Sequence, residues 1–229
     1  VRRADLCKKA AVDSSVIKAM EKKAILEIYK QEVSRLGSYQ AETVDTQPLS
    51  EQQVQAVANI KQQWEQKEVV LLHGVTGSGK TRVYIELIQE ALAQGEQVLY
   101  LLPEIALTTQ IISRLQRIFG DQIAVYHSRL NNNERVELWY AVASGQPIIL
   151  GPRSALFLPY QQLKYIIVDE EHDPSYKQYD PSPRYHGRDA AVVAALIHQA
   201  KVVLGTATPS LESYYNAQHD KYGLVTMSQ

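Results

Sequence analysis

The sequence has little cysteine and no long apolar run. Cys7 is the only cysteine among 229 residues, which excludes a disulfide framework and a cysteine-based zinc site within them. No segment approaches the about 18 apolar residues that a membrane-spanning helix needs. Charged residues interrupt the segment "VRRADLCKKAAVD", so it does not resemble a secretory signal peptide. We therefore expect a cytoplasmic protein with no membrane partner.

The chain also lacks a strong net charge. It has 24 Lys and Arg and 25 Asp and Glu, a formal net charge of −1 that by itself predicts no nucleic-acid partner. Residues 1–40 nevertheless carry nine basic and five acidic residues, so the rest of the chain is acidic. Such a basic segment is typical of a module that faces phosphate, and equally of a solvated helical surface.

The N-terminal segment has the spacing of short helices. Apolar residues recur with a helical period over residues 6–36, and Ser14 or Ser15 is the expected N-cap of the second helix. Two helices joined by a tight break predict a helix-turn-helix within residues 1–38.

The larger part of the chain, residues 49–229, follows a polar and aperiodic linker at 39–48. Near-continuous apolar segments such as "VVLL", "VLYLL" and "YIIV" alternate with helical segments. This pattern predicts an α/β fold with a mostly parallel sheet that helices cover on both faces. Ligands of such sheets lie beyond the carboxyl ends of the strands.

The segment "GVTGSGKT" lies between the first strand and a helix and fits the phosphate-binding pattern G-x-x-x-x-G-K-[ST]. Its small residues allow backbone N–H groups to point at the β-phosphate. Lys80 would reach the β- and γ-phosphates, and the Thr81 hydroxyl would ligate Mg²⁺. A chance match is the alternative, but the strand–helix setting favours ATP binding. The expected nucleotide-binding residues are Gly74, Val75, Thr76, Gly77, Ser78, Gly79, Lys80 and Thr81.

Acidic residues follow the strand "YIIV". Asp169 is placed to hold Mg²⁺, usually through water, and Glu170 to orient or deprotonate the attacking water. His172 would be a relay that senses the γ-phosphate, or an ordinary loop histidine. The plainer alternative is that these acids only end a strand. The phosphate-binding loop upstream favours catalysis.

Two further segments carry candidate residues. In "GTATPS", Thr206 and Thr208 lie beyond a strand end, where their hydroxyls would reach the acids, although small residues here also simply begin a helix at Ser210. Rings and cations then alternate after the acids. Stacked rings with Lys and Arg are typical of a single-stranded DNA platform, and local packing of an ordered loop is the alternative. The platform candidates are Tyr176, Lys177, Tyr179, Arg184 and Tyr185.

The order of these motifs resembles the first motor lobe of superfamily 2 helicases of the DEAH/DExH type. The segments "HGVTGSGKT", "LLPEIALTTQ", "GPRSALF", "VDEEHDPSYKQ" and "PRYHGRD" are most similar to the PriA family of bacterial primosomal replication-restart helicases. Pro152 departs from that family, which more often has Thr there. The resemblance runs from Leu49 to the C-terminus, and residues 1–36 resemble part of the family's winged-helix module.

The resemblance implies a RecA-like lobe and roles for individual residues. Gly74–Thr81 would be the Walker A loop, Asp169–His172 the Walker B box, and Gly205–Ser210 a motif that couples the nucleotide site to DNA. Gln52 resembles the glutamine that reads adenine, although a surface glutamine is an equal alternative. Further DNA-facing or coupling residues would be Pro103, Glu104, Thr108 and Arg153.

The resemblance also implies cofactors and partners. An ATP-dependent 3′-to-5′ DNA helicase would use ATP and Mg²⁺ and bind forks and single-stranded DNA. Primosome proteins and a single-strand-binding protein would be partners. Zinc-binding cysteines and a second lobe with an arginine finger are expected only in a longer protein. Without that finger, the 229 residues alone would bind nucleotide and be nearly inactive in hydrolysis. The rivals are a RecG-like translocase, which "PSYKQ" and "PRYH" disfavour, and a regulatory phosphate-loop NTPase, which "GTATPS" disfavours.

Overall fold

The computed structural model describes residues 6–7, 10, 12–26, 48–107 and 109–228. The chain divides into two compact units, residues 1–34 and 35–229. In the first unit, helix α1 spans Ser14–Lys22, and its N-cap is Asp13, whose carboxylate accepts a hydrogen bond from the Ser15 N–H at 2.8 Å. The predicted serine cap is therefore wrong, because aspartate caps as well as serine and stands one position earlier. The rest of the predicted winged-helix segment and nearly all of the linker lie outside the described residues.

Seven parallel strands form one sheet in the second unit, in the order β3-β4-β2-β5-β6-β1-β7. The strands are β1 Val69–Gly74, β2 Gln97–Leu101, β3 Ile123–Val125, β4 Ile148–Gly151, β5 Leu163–Asp169, β6 Lys201–Thr206 and β7 Gly223–Met227. The parallel sheet predicted from the apolar segments is confirmed. Only β7 was not predicted, because it is a short edge strand that begins at a glycine and exposes Thr226.

Six helices accompany the sheet in the described part of the second unit: α2 Glu51–Trp64, α3 Lys80–Ala93, α4 Thr109–Phe119, α5 Asn132–Ala143, α6 Gly187–His198 and α7 Leu211–Gln218. Local caps set several of their starts. Ser50 and Asn131 begin α2 and α5 with capping boxes, and the Ser210 hydroxyl accepts the Ser213 N–H at the start of α7. The helix start predicted at Ser210 is thus confirmed.

The core lies on both faces of the sheet. Alternate residues of each strand point to opposite faces, so Val70 and Leu72 pack with α2 and α3, whereas Leu71 packs on the side of α5 and α6. Both faces are buried, which explains why the central strands read as continuous apolar runs. The predicted cover of helices on both faces is confirmed. None of the described helices has the length and apolar character needed to cross a bilayer.

The strand order brings the three sequence motifs to one edge. Strands β5, β6 and β1 are neighbours, so the phosphate-binding loop, the acids and the segment Gly205–Ser210 follow adjacent strand ends. Asp169 lies opposite Gly205, and His73 lies opposite Thr206.

Candidate nucleotide site and the aromatic segment beside it

The loop after β1 has the backbone shape of an anion cradle. Gly77 and Gly79 have φ of +83° and +87°, a region that glycine adopts without strain. Gly79 is the N-cap of α3, and no side-chain hydrogen bond caps that helix. The N–H groups of its first turn therefore remain available to a phosphate.

A cavity of about 490 Å³ opens between this loop and the end of β5. Its size lies within the range of small-molecule and cofactor sites. Thr76, Lys80 and Thr81 line one side, and Asp169 and Glu170 line another. The loop and the first two acids predicted from the sequence therefore face one space.

Lys80 is folded back onto its own loop. Its side chain is buried, and its Nζ donates to the carbonyl oxygens of Gly74 at 2.7 Å and Val75 at 3.3 Å. The Ser78 hydroxyl is buried without a hydrogen-bond partner among the described residues. A buried ammonium held by neutral carbonyls, beside an unpaired hydroxyl, is suited to receive an anionic ligand.

Asp169 ends β5 as a buried carboxyl group. Burial and then the charge of Glu170 raise its pKa to about 6, although hydrogen bonds from Tyr84 and Tyr100 and the charge of Lys80 lower it. A carboxyl group perturbed in this way at the edge of a cavity is typical of a functional site.

The oxygen atoms at this edge suit Mg²⁺. Carboxylate and hydroxyl oxygens, here of Asp169 and Thr81, are ligands that Mg²⁺ accepts, and the ion usually takes only one or two carboxylates besides the phosphates of a nucleotide. The described residues hold no cluster of three or more His, Cys, Asp or Glu side chains that would bind a metal without such help. The residues present therefore fit a metal that arrives with its nucleotide.

Glu170 and His172 connect the acids to the neighbouring strand. Glu170 has φ of +49°, a strained value for a residue with a Cβ, and its side chain is 41% exposed. His172 Nδ1 lies 2.8 Å from the Thr206 hydroxyl and 3.7 Å from the Glu170 carboxylate. The Thr206 hydroxyl, predicted to reach the acids, is thus bonded to His172 beside them. Thr208 contributes its backbone N–H to the Thr206 hydroxyl, at 3.1 Å.

Glu171, the third acid of the run, is buried away from the cavity. It pairs with the Arg188 guanidinium at 3.2 Å and accepts hydrogen bonds from the Ser210 N–H and hydroxyl and from the Ser213 hydroxyl, at 2.7 to 2.9 Å. The sequence analysis assigned nothing to Arg188 or Ser213. The only sequence signal for this ion pair was the presence of Glu171 in "VDEEHDPSYKQ" and of Arg188 in "PRYHGRD".

The rings of the aromatic segment, residues 175–185, differ in exposure. Tyr176 is only 1% exposed, and its hydroxyl donates to the Asp169 carbonyl at 2.7 Å. The prediction that its ring stacks on a DNA base is therefore wrong, because the apolar core covers it. Tyr179 is 70% exposed, as a stacking ring requires. Tyr185 is half-buried, with its ring edge-to-face on Phe157.

Two cations, Lys177 and Arg153, hold the backbone of this segment by hydrogen bonds to its carbonyl groups. Lys177 Nζ donates to the Arg184 carbonyl at 2.7 Å, and an antiparallel bridge joins Lys177 to His186. Arg153 donates to the Ser175 carbonyl, so the segment "GPRSALF" contacts the start of the aromatic segment. The Arg184 side chain is exposed, as contact with a DNA phosphate requires.

The glutamine predicted to read adenine, Gln52, does not line the cavity. Gln52 Nε2 donates to the Ser228 hydroxyl at 2.9 Å, a contact that fits the alternative of a surface glutamine. The next residue, Gln53, lines the cavity and packs against Gly79. Successive helical residues differ by about 100° in direction, so Gln53 faces the cavity and Gln52 does not.

The segment predicted to face DNA after β2 is described in part. Pro103 is buried at the end of that strand, and Glu104 begins a short 3₁₀ helix with an exposed side chain. Thr108 lies outside the described residues.

Comparisons with known proteins agree with this geometry. A family model described as DEAD/DEAH box helicase matches residues 50–217. Replication restart protein PriA of Chlamydia trachomatis is 43% identical over 98% of this chain, and that of Bacillus subtilis 41% identical over 98%. The matches span 30% and 28% of those proteins, so the chain has less than a third of the length of these relatives.

A solved structure of RecG bound to a three-way DNA junction shares the fold, with a TM-score of 0.57 over 95% of this chain and 26% of that one at 18% identity. Fold, motif order and sequence similarity along the lobe all agree, and this chain belongs to the DEAD/DEAH box helicase family.

Proposed function

We propose that this chain is the ATP-binding first motor lobe of a 3′-to-5′ DNA helicase that restarts replication at stalled forks. The observation that carries the proposal is the single cavity between the phosphate-binding loop and the acids after β5. The family membership and the similarity to PriA proteins support the choice of reaction and of DNA as partner.

Each side of the cavity has a separate task in this proposal. The loop N–H groups and Lys80 bind the phosphates, and Lys80 exchanges its carbonyl partners for phosphate oxygens. Thr81 and Asp169 would hold Mg²⁺, which neutralises charge on the phosphates when it is bound. Glu170 orients the attacking water and accepts its proton. His172 links Glu170 to Thr206 and so to the next strand.

The aromatic segment couples DNA to this chemistry. Tyr179 offers an exposed ring to a base and Arg184 a charge to a phosphate. Tyr176 is the inner end of the same segment, and it contacts the backbone of Asp169. The segment is held in shape by Lys177, Tyr185 and Arg153. The same DNA-facing and coupling edge would include Pro103, Glu104, Thr108, Thr206 and Thr208.

The wider assignments are part of the proposal. Residues 1–38 would be a partial winged-helix segment, 39–48 a linker and 49–229 the motor lobe. In the cytoplasm, a longer protein would engage forks, single-stranded DNA, primosome proteins and a single-strand-binding protein, and would hold zinc outside these residues.

Binding of a fluorescent ATP analogue with Mg²⁺ tests the proposal. Lys80→Ala should weaken binding about tenfold or more, because it removes a buried charge that meets phosphate. Lys201→Ala, at the opposite end of β6 where Lys201 pairs with Glu68, is the matched control and should bind as the wild type does. Equal affinity of the wild type and Lys80→Ala, or no binding by the wild type, would refute the proposal.

A further inference from the structure

The Asp169 carboxylate is held by two tyrosine hydroxyls from different elements. Tyr84 in α3 donates to Oδ1 at 3.0 Å, and Tyr100 in β2 donates to Oδ2 at 3.1 Å. Both rings are fully buried and meet edge-to-face, with centroids 5.5 Å apart. Tyr84 lies in none of the sequence motifs, and Tyr100 lies only in the apolar segment that predicts β2.

These hydrogen bonds leave the carboxylate few free acceptor sites. Oδ1 also accepts the Glu170 N–H at 3.2 Å. A carboxylate has about four lone-pair sites, so three donors from the described residues leave one, on Oδ2. Because both oxygens are tied, the carboxylate cannot rotate, and the direction of its last lone pair is fixed.

The surrounding backbone is shaped to admit the Tyr84 hydroxyl. Tyr84 lies one helical turn beyond Lys80 on α3, so one helix carries both a phosphate ligand and a support for the acid. Gly205 faces Asp169 on the neighbouring strand, and a Cβ there would overlap the Tyr84 hydroxyl. The glycine of "GTATPS" therefore provides space for this hydrogen bond.

We propose that Tyr84 and Tyr100 are positioning residues of the nucleotide site, which hold the Asp169 carboxylate so that its remaining lone pair faces Mg²⁺ bound with nucleotide. The proposal rests on the proposed function. Hydrogen-bond partners of metal ligands typically contribute about 10- to 100-fold to metal affinity.

The test measures how the binding of a fluorescent ATP analogue to the 229-residue chain depends on Mg²⁺ concentration. Tyr84→Phe and Tyr100→Phe each remove one hydroxyl and keep the ring. Each should raise the Mg²⁺ concentration at half-maximal effect about 10- to 100-fold. Nucleotide affinity in EDTA should not change, because Asp169 does not contact the phosphates directly in this arrangement.

Tyr160→Phe is the matched control. Tyr160 is another buried tyrosine whose hydroxyl donates to a carbonyl, that of Ala155 at 2.8 Å, away from Asp169. It should lose a similar hydrogen bond and keep the wild-type Mg²⁺ dependence. Thermal unfolding followed by tryptophan fluorescence checks that each variant is folded, and if one variant unfolds the other decides the result.

Wild-type Mg²⁺ dependence in the folded phenylalanine variants would overturn the proposal, as would an equal loss of affinity with and without Mg²⁺. A wild-type chain that binds no nucleotide would overturn both this inference and the proposed function. A wild-type chain that binds normally, with no effect of the substitutions, would overturn the inference alone.

Discussion

Glu170 stands directly after a buried carboxyl group, with its backbone in the left-handed region and its side chain partly exposed at the cavity. A side chain in this position reaches a water near the phosphates more readily than the buried Asp169 does. In the proposed reaction the two adjacent carboxylates have separate tasks, Asp169 toward a metal and Glu170 toward a water, and their different burial suits this division.

Glu170→Gln should retain nucleotide affinity and lose hydrolysis. The substitution keeps the shape of the side chain and removes the base, which typically contributes about 10² to 10⁴ in rate. The measurement is steady-state ATP hydrolysis by the longest natural chain that contains these residues, together with binding of a fluorescent analogue. Glu65→Gln, an exposed acid at the C-terminal end of α2 that has no role in the proposed reaction, is the control. Normal turnover in Glu170→Gln would assign the base to another acid.

At the scale of elements, the aromatic segment joins an exposed end to a buried end. Tyr179 lies at the surface, whereas Tyr176 packs in the core and contacts the Asp169 carbonyl. Substituting both tyrosines together by alanine would mix a surface effect with a core cavity. Tyr179 and Tyr176 therefore require separate substitutions.

Tyr179→Ala should weaken single-stranded DNA binding by about 1–3 kcal/mol and reduce DNA-stimulated ATP hydrolysis, with basal hydrolysis unchanged. Tyr176→Phe should keep DNA affinity and lose part of the stimulation, because it removes only the hydroxyl that reaches Asp169. Both are measured in the longest natural chain by DNA titration of the hydrolysis rate. Tyr140→Ala, a tyrosine of similar exposure on α5, is the control. Normal stimulation in both variants would make the segment purely structural.

The ion pair of Glu171 and Arg188 ties three elements together. Arg188 begins α6, Ser210 and Ser213 begin α7, and Glu171 follows β5. Both charged side chains are nearly inaccessible to water, at 0% exposure for Glu171 and 9% for Arg188. The pair therefore holds the segment after β5 against the starts of α6 and α7.

Arg188→Met should destabilise the second unit by about 3 kcal/mol, because it leaves a buried carboxylate without its cation. The double variant with Glu171→Gln should recover part of this loss, because it removes that charge. Urea unfolding followed by tryptophan fluorescence measures both, since Trp64 and Trp139 are the only tryptophans and both lie in this unit. Arg117→Met, an exposed residue of α4, should change stability by less than about 0.5 kcal/mol. An Arg188→Met loss no larger than that of the control would contradict the argument.

For the whole molecule, we predict that the 229-residue chain binds Mg²⁺ with ATP or ADP but hydrolyses ATP slowly. An arginine finger from a second lobe is worth roughly 10³ to 10⁵ in rate, and the proposal gives the chain one lobe. Phosphate release by the chain should lie at least about 10³-fold below that of the longer Bacillus subtilis PriA, measured alongside it with single-stranded DNA. Lys80→Ala sets the background. A rate near that of the longer protein would show that the chain supplies its own finger.

The sequence by itself determined the parallel α/β fold, the phosphate-binding loop and the positions of Asp169 and Glu170 relative to their strand. These features depend on local chemistry: continuous apolar segments require burial on both faces, glycines allow positive φ, and residues at a strand end meet at one edge. The order of the strands, the edge strand β7 and the Asp13 cap did not follow from it.

Only the tertiary structure decided which side chains surround the acids. Tyr100 and Tyr84 reach Asp169 across 69 and 85 residues of sequence, and Arg188 reaches Glu171 because α6 begins beside the end of β5. The same holds for the buried ring of Tyr176 and for Gln53, rather than Gln52, lining the cavity. Such contacts depend on strand order and on the rotation of each helix against the sheet, and neither leaves a periodic signal in the sequence.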